Sequence, residues 1–391
     1  MMKLLKSLQR RTPLGWLQLS HDKGRMLVAT AGIAFADILM FMQFGFQNAL
    51  YSSNTRIHQI LDADMVLISP QALNMTNLSD FSRRRLYQAM NVPGVESADA
   101  FYAKLGVWKN PKTKQKSSIF IVGVNPDRPA FDLPEIKRNR NLIKIPDTVL
   151  FDEASRGDYQ DTIVQIKQGK PVTTEIDRRT ITISGLFKVG ASFAADGTLV
   201  TSDQNFLRLF PKQQAGSINA GLIHLKPGAN PVQVQNALKT YLPNDVKVLT
   251  KTEFIEFEKN YWTNNTAVGF VFNLGAAMGF IVGVIIVYQV LSTDVSDHLA
   301  EYATFKAMGY RNLYLLSIVF EEALILSILG FIPGVGISIW LYALTRKATN
   351  LPMYMTLISA GTVLILTLIM CSISGTIATR KLQSADPADI F

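Results

Sequence analysis

The chain is 391 residues long, and 48% of its residues are hydrophobic. Its mean hydropathy of +0.17 is too high for an ordinary soluble protein and too low for a pure bundle of membrane helices. The net charge of +9 is spread along the chain, which argues against nucleic acid as a partner. We therefore expect a protein of the lipid bilayer that also carries a large polar domain.

Four stretches of the sequence are long and apolar enough to cross a membrane. They predict transmembrane helices at 26–49, 266–291, 313–345 and 355–379. The region 50–265 alternates strand-like with helix-like runs, separated by Gly, Pro and Asn turns. The expected fold is an integral membrane α-helical protein with four transmembrane helices and a large α+β periplasmic domain between helices 1 and 2.

Basic residues at the start of the chain indicate its orientation. Segment 1–25 contains six Lys and Arg residues against one Asp. By the positive-inside rule this end is cytoplasmic, so 50–265 is periplasmic, while 292–312 and the tail 380–391 are cytoplasmic. Basic residues in the short outer loop 346–354 oppose this assignment, so it depends mainly on the N-terminus. We expect the protein in the inner (plasma) membrane.

Leucines and Trp16 alternate with the basic residues of segment 1–25. This pattern is typical of an amphipathic segment that lies on the inner membrane surface, although a partly ordered basic tail would have a similar composition. The sole cysteine, Cys371, falls in the fourth span, so no disulfide can form within one chain.

An acidic residue, Asp37, lies within the first span. A carboxyl group in hydrocarbon is costly, so Asp37 should face a partner helix or a cavity. It could bond one helix to another or relay protons. Since the spans contain no basic mate for it, bonding between helices is the favoured interpretation.

Glycines recur at every fourth position of the second span, at Gly275, Gly279 and Gly283. Such a face lets two helices approach closely. Packing within one bundle and dimerisation are both compatible with this pattern.

Apolar residues continue with helical spacing beyond the first span and before the second. They are Ile57 and Leu61 after the first span, and Phe254, Phe257 and Tyr261 before the second. We expect both spans to extend outward as amphipathic helices, forming a stalk that links the membrane to the outer domain.

The stretch 292–312, between the second and third spans, has the pattern of a short amphipathic helix. Apolar side chains recur on one stripe, at Val295, Leu299, Tyr302 and Phe305. Charged or titratable side chains lie largely off this stripe, at Asp297, His298, Glu301 and Lys306. We expect a helix from about 294 to 308 that ends at Gly309, because glycine readily adopts the left-handed backbone of a helix terminus. This helix either docks a soluble protein or serves as a plain connector.

Motifs of catalysis are missing from the sequence. It contains no GxxxxGK[ST] phosphate loop, no nucleophile elbow and no histidines at metal-ligand spacing. We therefore expect a coupling or transport component rather than an enzyme, with no metal or cofactor bound by this chain.

Two motifs resemble those of a known family. They are EYATFKAMGYRN, after the second span, and FEEALILSILGFIPG, which opens the third. With the order of spans, they resemble the MacB/FtsX class of ABC transporter permeases, the type VII class that works by mechanotransmission. This sequence departs from the MacB pattern because it contains no fused nucleotide-binding domain, so we expect the ATPase to be a separate chain.

Three further stretches resemble the DevC-like permeases of cyanobacterial DevBCA-type exporters. They are TPLGWLQLSHDKGRMLVATAGIAFADILMFMQFGFQNAL, VGASFAADGTLVTSD and KLQSADPADIF. The resemblance implies a homodimer that works with an ABC ATPase subunit, which binds ATP and Mg. It also implies a periplasmic adaptor (membrane fusion) protein, a TolC-like outer-membrane channel and an envelope cargo such as a glycolipid.

The resemblance also assigns roles to residues. It implies that the helix at 294–308 is the coupling helix that docks in a groove of the ATPase. Its core would be Glu301, Lys306, Ala307, Met308 and Gly309. Glu322 matches the family's acidic position in the third span. Two other functions remain open, an FtsX-like signalling or scaffold protein that activates a periplasmic partner and a proton-driven transporter that uses Asp37.

Overall fold

The computed structural model describes Trp16, Leu19, 21–128 and 130–384. Most of the expected N-terminal segment 1–25 and part of the tail 380–391 lie outside these residues. The chain divides into two compact units. One contains the described residues up to Asn48, Phe270–Leu344 and those from Met353 onward, and the other, here called the strand-rich domain, contains Ala49–Gly269 and Thr345–Pro352.

Helices and strands alternate along much of the described chain. The helices are α1 (Lys23–Ile60), α2 (Arg84–Met90), α3 (Pro134–Asn139), α4 (Gln160–Lys167), α5 (Asp203–Leu209), α6 (Pro231–Tyr241), α7 (Lys251–Asn264), α8 (Ala267–Asp297), α9 (Leu299–Ala307), α10 (Asn312–Thr349) and α11 (Leu357–Ser384). The strands are β1 (Met65–Ile68), β2 (Phe81–Ser82), β3 (Val95–Lys109), β4 (Lys116–Val124), β5 (Thr148–Asp152), β6 (Val172–Ile176), β7 (Arg179–Phe187), β8 (Thr198–Ser202), β9 (Ser217–Ile218), β10 (Ala220–Leu225) and β11 (Lys247–Thr250).

Four of the described helices are long and apolar enough to cross a membrane, which confirms the expected class of fold. The spans are Lys23–Ile60, Ala267–Asp297, Leu316–Thr349 and Leu357–Thr379. The third helix is longer than the sequence suggested, since Arg346 and Lys347 belong to its last turn instead of a loop. Cations are favourable there because the carbonyl end of a helix carries partial negative charge.

The glycine face of α8 packs within the same chain. A Cβ atom at Gly275 would clash with Gln43 of α1, and one at Gly283 would clash with Met370 of α11. A Cβ atom at Gly279 would make tight contacts with α1, at 3.2 Å from Met40 Cγ and 3.3 Å from Leu39 Cβ. This face is therefore occupied by intrachain helix packing, one of the two alternatives that the sequence allowed.

Asp37 is fully buried and connects two helices. The Thr367 hydroxyl of α11 donates a hydrogen bond of 2.6 Å to Asp37 Oδ1. On the opposite side, a Cβ atom at Gly334 of α10 would lie 3.0 Å from Asp37 Cβ. These contacts are those of a residue that bonds and spaces helices, the role favoured by its sequence context.

The strand-rich domain is built on a nine-stranded sheet in the order β11-β1-β10-β3-β4-β8-β5-β7-β6. An additional pairing between β3 and β6 joins Trp108 to Ile176, so β3, β4, β8, β5, β7 and β6 form a closed ring. Successive side chains of a strand point to opposite faces. Tyr102 of β3 accordingly enters one apolar core, while Phe101 and Ala103 enter another.

The expected stalk residues lie at the second of these cores, all of them on helices except Leu61, which follows the end of α1 and forms a bridge with Phe131. Ile57, Leu61 and Phe254 are buried in it, and Phe257 packs against it. Tyr261 is half-buried. Helix α1 runs without interruption from Lys23 to Ile60, whereas α7 ends at Asn264 and a new helix, α8, begins at Ala267. The stretch before the second span is thus a separate helix from the span itself.

Candidate coupling site

The chain turns sharply between the second and third membrane helices, in the segment 294–309, here called the elbow. Sequence periodicity predicted one helix from about 294 to 308, but α8 continues to Asp297 and α9 begins only at Leu299. His298 separates them with φ −95° and ψ 14°, outside the helical range. Its Nδ1 lies 3.0 Å from the backbone oxygen of Asp294, which satisfies a carbonyl at the end of α8.

The apolar stripe of the elbow is buried within the chain. Val295 and Tyr302 are 0% exposed and form a cluster with Ile318 and Val319 of α10. Leu299, Phe305 and Tyr314 are partly buried and pack against the same cluster. The stripe therefore fastens α9 to α10, and it is not the surface that a soluble partner would meet.

A different face of α9 is exposed. Ala300, Glu301 and Thr304 lie on it, followed by Met308 at 61% and Tyr310 at 46% exposure. The spacing of 300, 304 and 308 is that of one helical face. Sequence analysis had singled out Glu301 and Met308 but missed Tyr310. The available signal for Tyr310 was its position, an aromatic residue directly after the glycine that ends the helix.

Gly309 ends the elbow with φ +87°. This left-handed backbone is readily accessible to glycine and strained for most other residues. It allows Tyr310 N to donate a hydrogen bond of 3.1 Å to Phe305 O, which closes the last turn. Lys306 is half-buried in this turn, and the side chain of Ala307 lies outside the described atoms.

The first turn of α1 is joined to the elbow by an arginine that sequence analysis did not consider. Arg25 Nη1 lies 2.8 Å from Asp297 Oδ2 and 3.5 Å from Asp294 Oδ1. The backbone N–H of Arg25 donates to Asp22 Oδ1, and this hydrogen bond holds the pKa of Asp22 below its ordinary value. Asp22 thereby caps α1 and also restrains the arginine through a bond to its Nε.

Glu322 of α10 lies beside Asp294, one of the two aspartates that pair with Arg25. Its side chain is fully buried, and its carboxyl interacts with that of Asp294. Within the described residues no N–H group donates to either Glu322 oxygen. Charged side chains from α1, α8 and α10 thus meet at the start of the elbow.

Two family models match the chain. The FtsX-like permease C-terminal model matches residues 273–387, and the MacB-like periplasmic core domain model matches residues 26–241, more than half of the chain. The chain belongs to the MacB/FtsX family of permeases. It is thus a membrane subunit of the ABC-transporter type.

The two matches divide this MacB/FtsX permease along its chain. The elbow, α10 and α11 fall in the FtsX-like region, whereas most of α1 and most of the sheet fall in the MacB-like region. Arg25 lies one residue before the MacB-like match begins. No curated protein matches the chain closely enough in sequence to count as a relative.

Three solved structures are similar to part of this MacB/FtsX permease. The periplasmic region of MacB from Actinobacillus actinomycetemcomitans is 10% identical, with a TM-score of 0.35 over 53% of this chain and 96% of that one. The extracellular domain of the noncanonic ABC-type transporter YknZ from Gram-positive bacteria is 12% identical, with a TM-score of 0.32 over 48% and 100%. A permease domain from Porphyromonas gingivalis is 16% identical, with a TM-score of 0.29 over 48% and 89%.

A polar contact between the expected stalk helices of the permease was also missed by sequence reasoning. His58 Nε2 of α1 lies 3.5 Å from Glu258 Oε2 of α7, and both side chains are buried. Glu258 further accepts hydrogen bonds from Met75 N at 2.7 Å and Trp262 Nε1 at 2.8 Å. Helices α1 and α7 therefore approach each other through polar groups as well as through the apolar residues Ile57 and Phe254.

Proposed function

We propose that this chain is the permease subunit of an ABC exporter whose ATPase is a separate subunit. The exposed face of α9 binds the ATPase, and the elbow passes the ATPase's movement to the membrane helices. In this arrangement the elbow lies in the cytoplasm, and the strand-rich domain lies in the periplasm.

The observation that carries this proposal is that helix α1 is attached at both of its ends. At one end its Arg25 pairs with Asp297 of the elbow, and at the other its Ile57 is buried in the core of the strand-rich domain. A helix of 38 residues spans about 57 Å at 1.5 Å per residue. Because one unbroken helix has these two attachments, a shift at the elbow moves a side chain in the domain core.

The exposed face of α9 has the chemistry of a docking surface. Met308 and Tyr310 expose apolar area beside the acidic side chain of Glu301. Flexible and aromatic side chains with a charged rim are typical of interface centres. The buried apolar stripe on the other side of α9 packs against α10, so the position of the docking surface is fixed relative to α10.

The remaining partners and the cargo follow from the resemblance to DevC-like permeases. They are a second copy of the chain, a periplasmic adaptor, a TolC-like outer-membrane channel and an envelope substrate of the glycolipid class. The large strand-rich domain, with two apolar cores, supports an exporter over a pure signalling subunit. An FtsX-like scaffold that activates a periplasmic hydrolase is the second candidate, supported by the FtsX-like match.

Affinity purification of the membrane complex, with mass spectrometry of bound proteins and lipids, tests the proposal. We expect an ABC ATPase and an adaptor to co-purify, and a deletion strain to retain an envelope lipid inside the cell. Recovery of a cell-wall hydrolase without an adaptor would support the scaffold function. Normal export in the deletion strain would rule out the exporter.

A further inference from the structure

The loop 188–197, which joins β7 to β8, contains the VGASFAADG motif that the coupling site does not use. It is held by a buried carboxylate at the end of β5. Val189 N and Gly190 N donate to the oxygens of Asp152 at 3.0 and 2.7 Å, and Ala154 N donates at 3.0 Å. Asp152 is fully buried, and this burial raises its pKa, while the three backbone N–H donors act in the opposite direction.

One side of the loop contacts the outer part of α1. Arg56 Nη1 donates a hydrogen bond of 2.7 Å to Val189 O. Gly190 has φ +102°, and a Cβ atom there would clash with the same guanidinium group. The left-handed backbone favours glycine at this position, and the absence of a side chain lets the arginine approach closely.

The other side of the loop is joined to the end of α10 by one side chain, Arg156. Its Nη1 lies 2.7 Å from Asp196 Oδ1, and its Nη2 donates to Ser192 O at 3.3 Å. Its Nε donates to Thr349 O at 3.0 Å. Thr349 is the last residue of α10, so a single guanidinium connects the loop to the end of the third membrane helix.

The loop is in turn hydrogen-bonded into the sheet. Phe120 N of β4 donates to Gly197 O at 2.9 Å, and Asp196 N donates to Ser118 O at 2.9 Å. A guanidinium presents its donors in a rigid planar fork, so its three acceptors hold their relative positions. Hydrogen bonds therefore connect Thr349 to β4 through Arg156 and the loop.

We propose that Arg156 is a positioning residue that transmits movement of the outer end of α10 to the periplasmic sheet through the loop 188–197. The proposal depends on the exporter function proposed above. Helix α10 is suited to this role because Ile318 and Val319, near its other end, hold the coupling helix α9. Movement of the elbow then reaches the sheet by a second route, which enters the loop through α10 and Arg156, whereas α1 contacts the loop through Arg56.

Three variants in the full complex, reconstituted with its ATPase, test this route. Arg156→Ala removes all three contacts, and Arg156→Lys keeps the charge beside Asp196 but loses the planar fork. Arg85→Ala is the matched control, since Arg85 in the same domain pairs with both oxygens of Asp245, through Nη2 to Oδ2 at 2.7 Å and Nε to Oδ1 at 3.0 Å, and neither residue lies on a membrane helix. The measurements are ATPase binding, ATP hydrolysis and cargo exported per ATP.

We expect both Arg156 variants to bind the ATPase and hydrolyse ATP as the wild type does, but to export about fivefold less cargo per ATP, the lower range of measured couplings. Nucleotide should also change hydrogen exchange at Asp196 and Phe120, whose N–H groups bond on the Arg156 side of the loop, and this change should be smaller in Arg156→Ala. If Arg156→Ala accumulates poorly, Arg156→Lys gives the same comparison.

Two results have distinct meanings. If the Arg156 variants export as much per ATP as Arg85→Ala and the wild type, the second route is wrong and the exporter function stands. If the wild-type complex binds no ATPase and exports nothing upon ATP addition, the exporter function itself is wrong.

Discussion

Arg25 and Asp297 form an ion pair of 2.8 Å that joins the first turn of α1 to the last turn of α8. The two side chains are 30% and 51% exposed, so the pair contributes little to stability. Its importance is geometric, because it attaches the start of α1, a helix of 38 residues, to the end of α8, where the elbow begins.

Reversing the charge of this pair should uncouple the permease. We expect Arg25→Glu to reduce export per ATP while leaving membrane insertion intact, since a carboxylate at this position would repel Asp294 and Asp297. Asp297→Arg should have a similar effect, and the double variant should recover part of the loss. Lys23→Glu, which makes the same charge change two residues away, is the control. Equal export by Arg25→Glu and Lys23→Glu would contradict the coupling role.

The exposed and buried faces of α9 should respond differently to mutation. Met308→Asp and Glu301→Lys should weaken ATPase binding by about 30-fold, the equivalent of a 2 kcal/mol interface contact, with an unchanged melting temperature. Tyr302→Ala should instead lower the melting temperature, because truncation of a fully buried aromatic ring costs about 3–5 kcal/mol. Binding assays and thermal unfolding in detergent separate the two effects. Wild-type affinity in Met308→Asp would place the docking surface elsewhere.

Variants of Asp37 distinguish a role in helix packing from a role in proton transport. Asp37→Asn retains an oxygen that can accept the Thr367 hydrogen bond, so we expect export to remain near the wild-type level. Asp37→Leu removes the acceptor and should cost about 1 kcal/mol, less if Thr367 keeps its second acceptor, Val363 O. A proton-driven transporter would lose export in both variants, with its activity independent of the ATPase. The measurement is export in cells that carry each variant.

The start of α7 should stabilise the fold in a pH-dependent way. Thr250 and Glu253 form a capping box, in which Thr250 N donates to Glu253 Oε2 at 2.7 Å. This bond lowers the pKa of Glu253 below its ordinary value of 4.5. The carboxylate therefore stabilises the folded state fully above pH 4.5, and this contribution is lost as the pH falls through the lowered pKa.

Thr250→Ala should cost about 1 kcal/mol at neutral pH, the usual effect of losing an N-cap. Glu253→Gln should reduce the difference in melting temperature between neutral pH and a pH well below 4.5. Glu256→Gln, one turn further along α7, serves as the control. A pH response in Glu253→Gln identical to that of the wild type would show that the capping box does not contribute in this way.

Local sequence patterns were sufficient for the architecture. Apolar runs longer than the hydrocarbon core predicted four membrane helices, and alternating runs predicted the strands of an α+β domain. Gly309 correctly predicted the end of the elbow, because glycine by itself favours the left-handed backbone found there. Periodicity likewise predicted correctly that Val295 and Tyr302 lie on the same face.

Tertiary structure alone decided what each of these faces meets. The stripe could have faced the ATPase, but Ile318 and Val319 cover it, and the glycine face of α8 could have met a second copy, but α1 and α11 occupy it. The Arg156 contact with Thr349 joins residues 193 positions apart, and its partner is a backbone carbonyl. Periodicity records which side chains share a face, whereas the partner of a face depends on packing between distant segments.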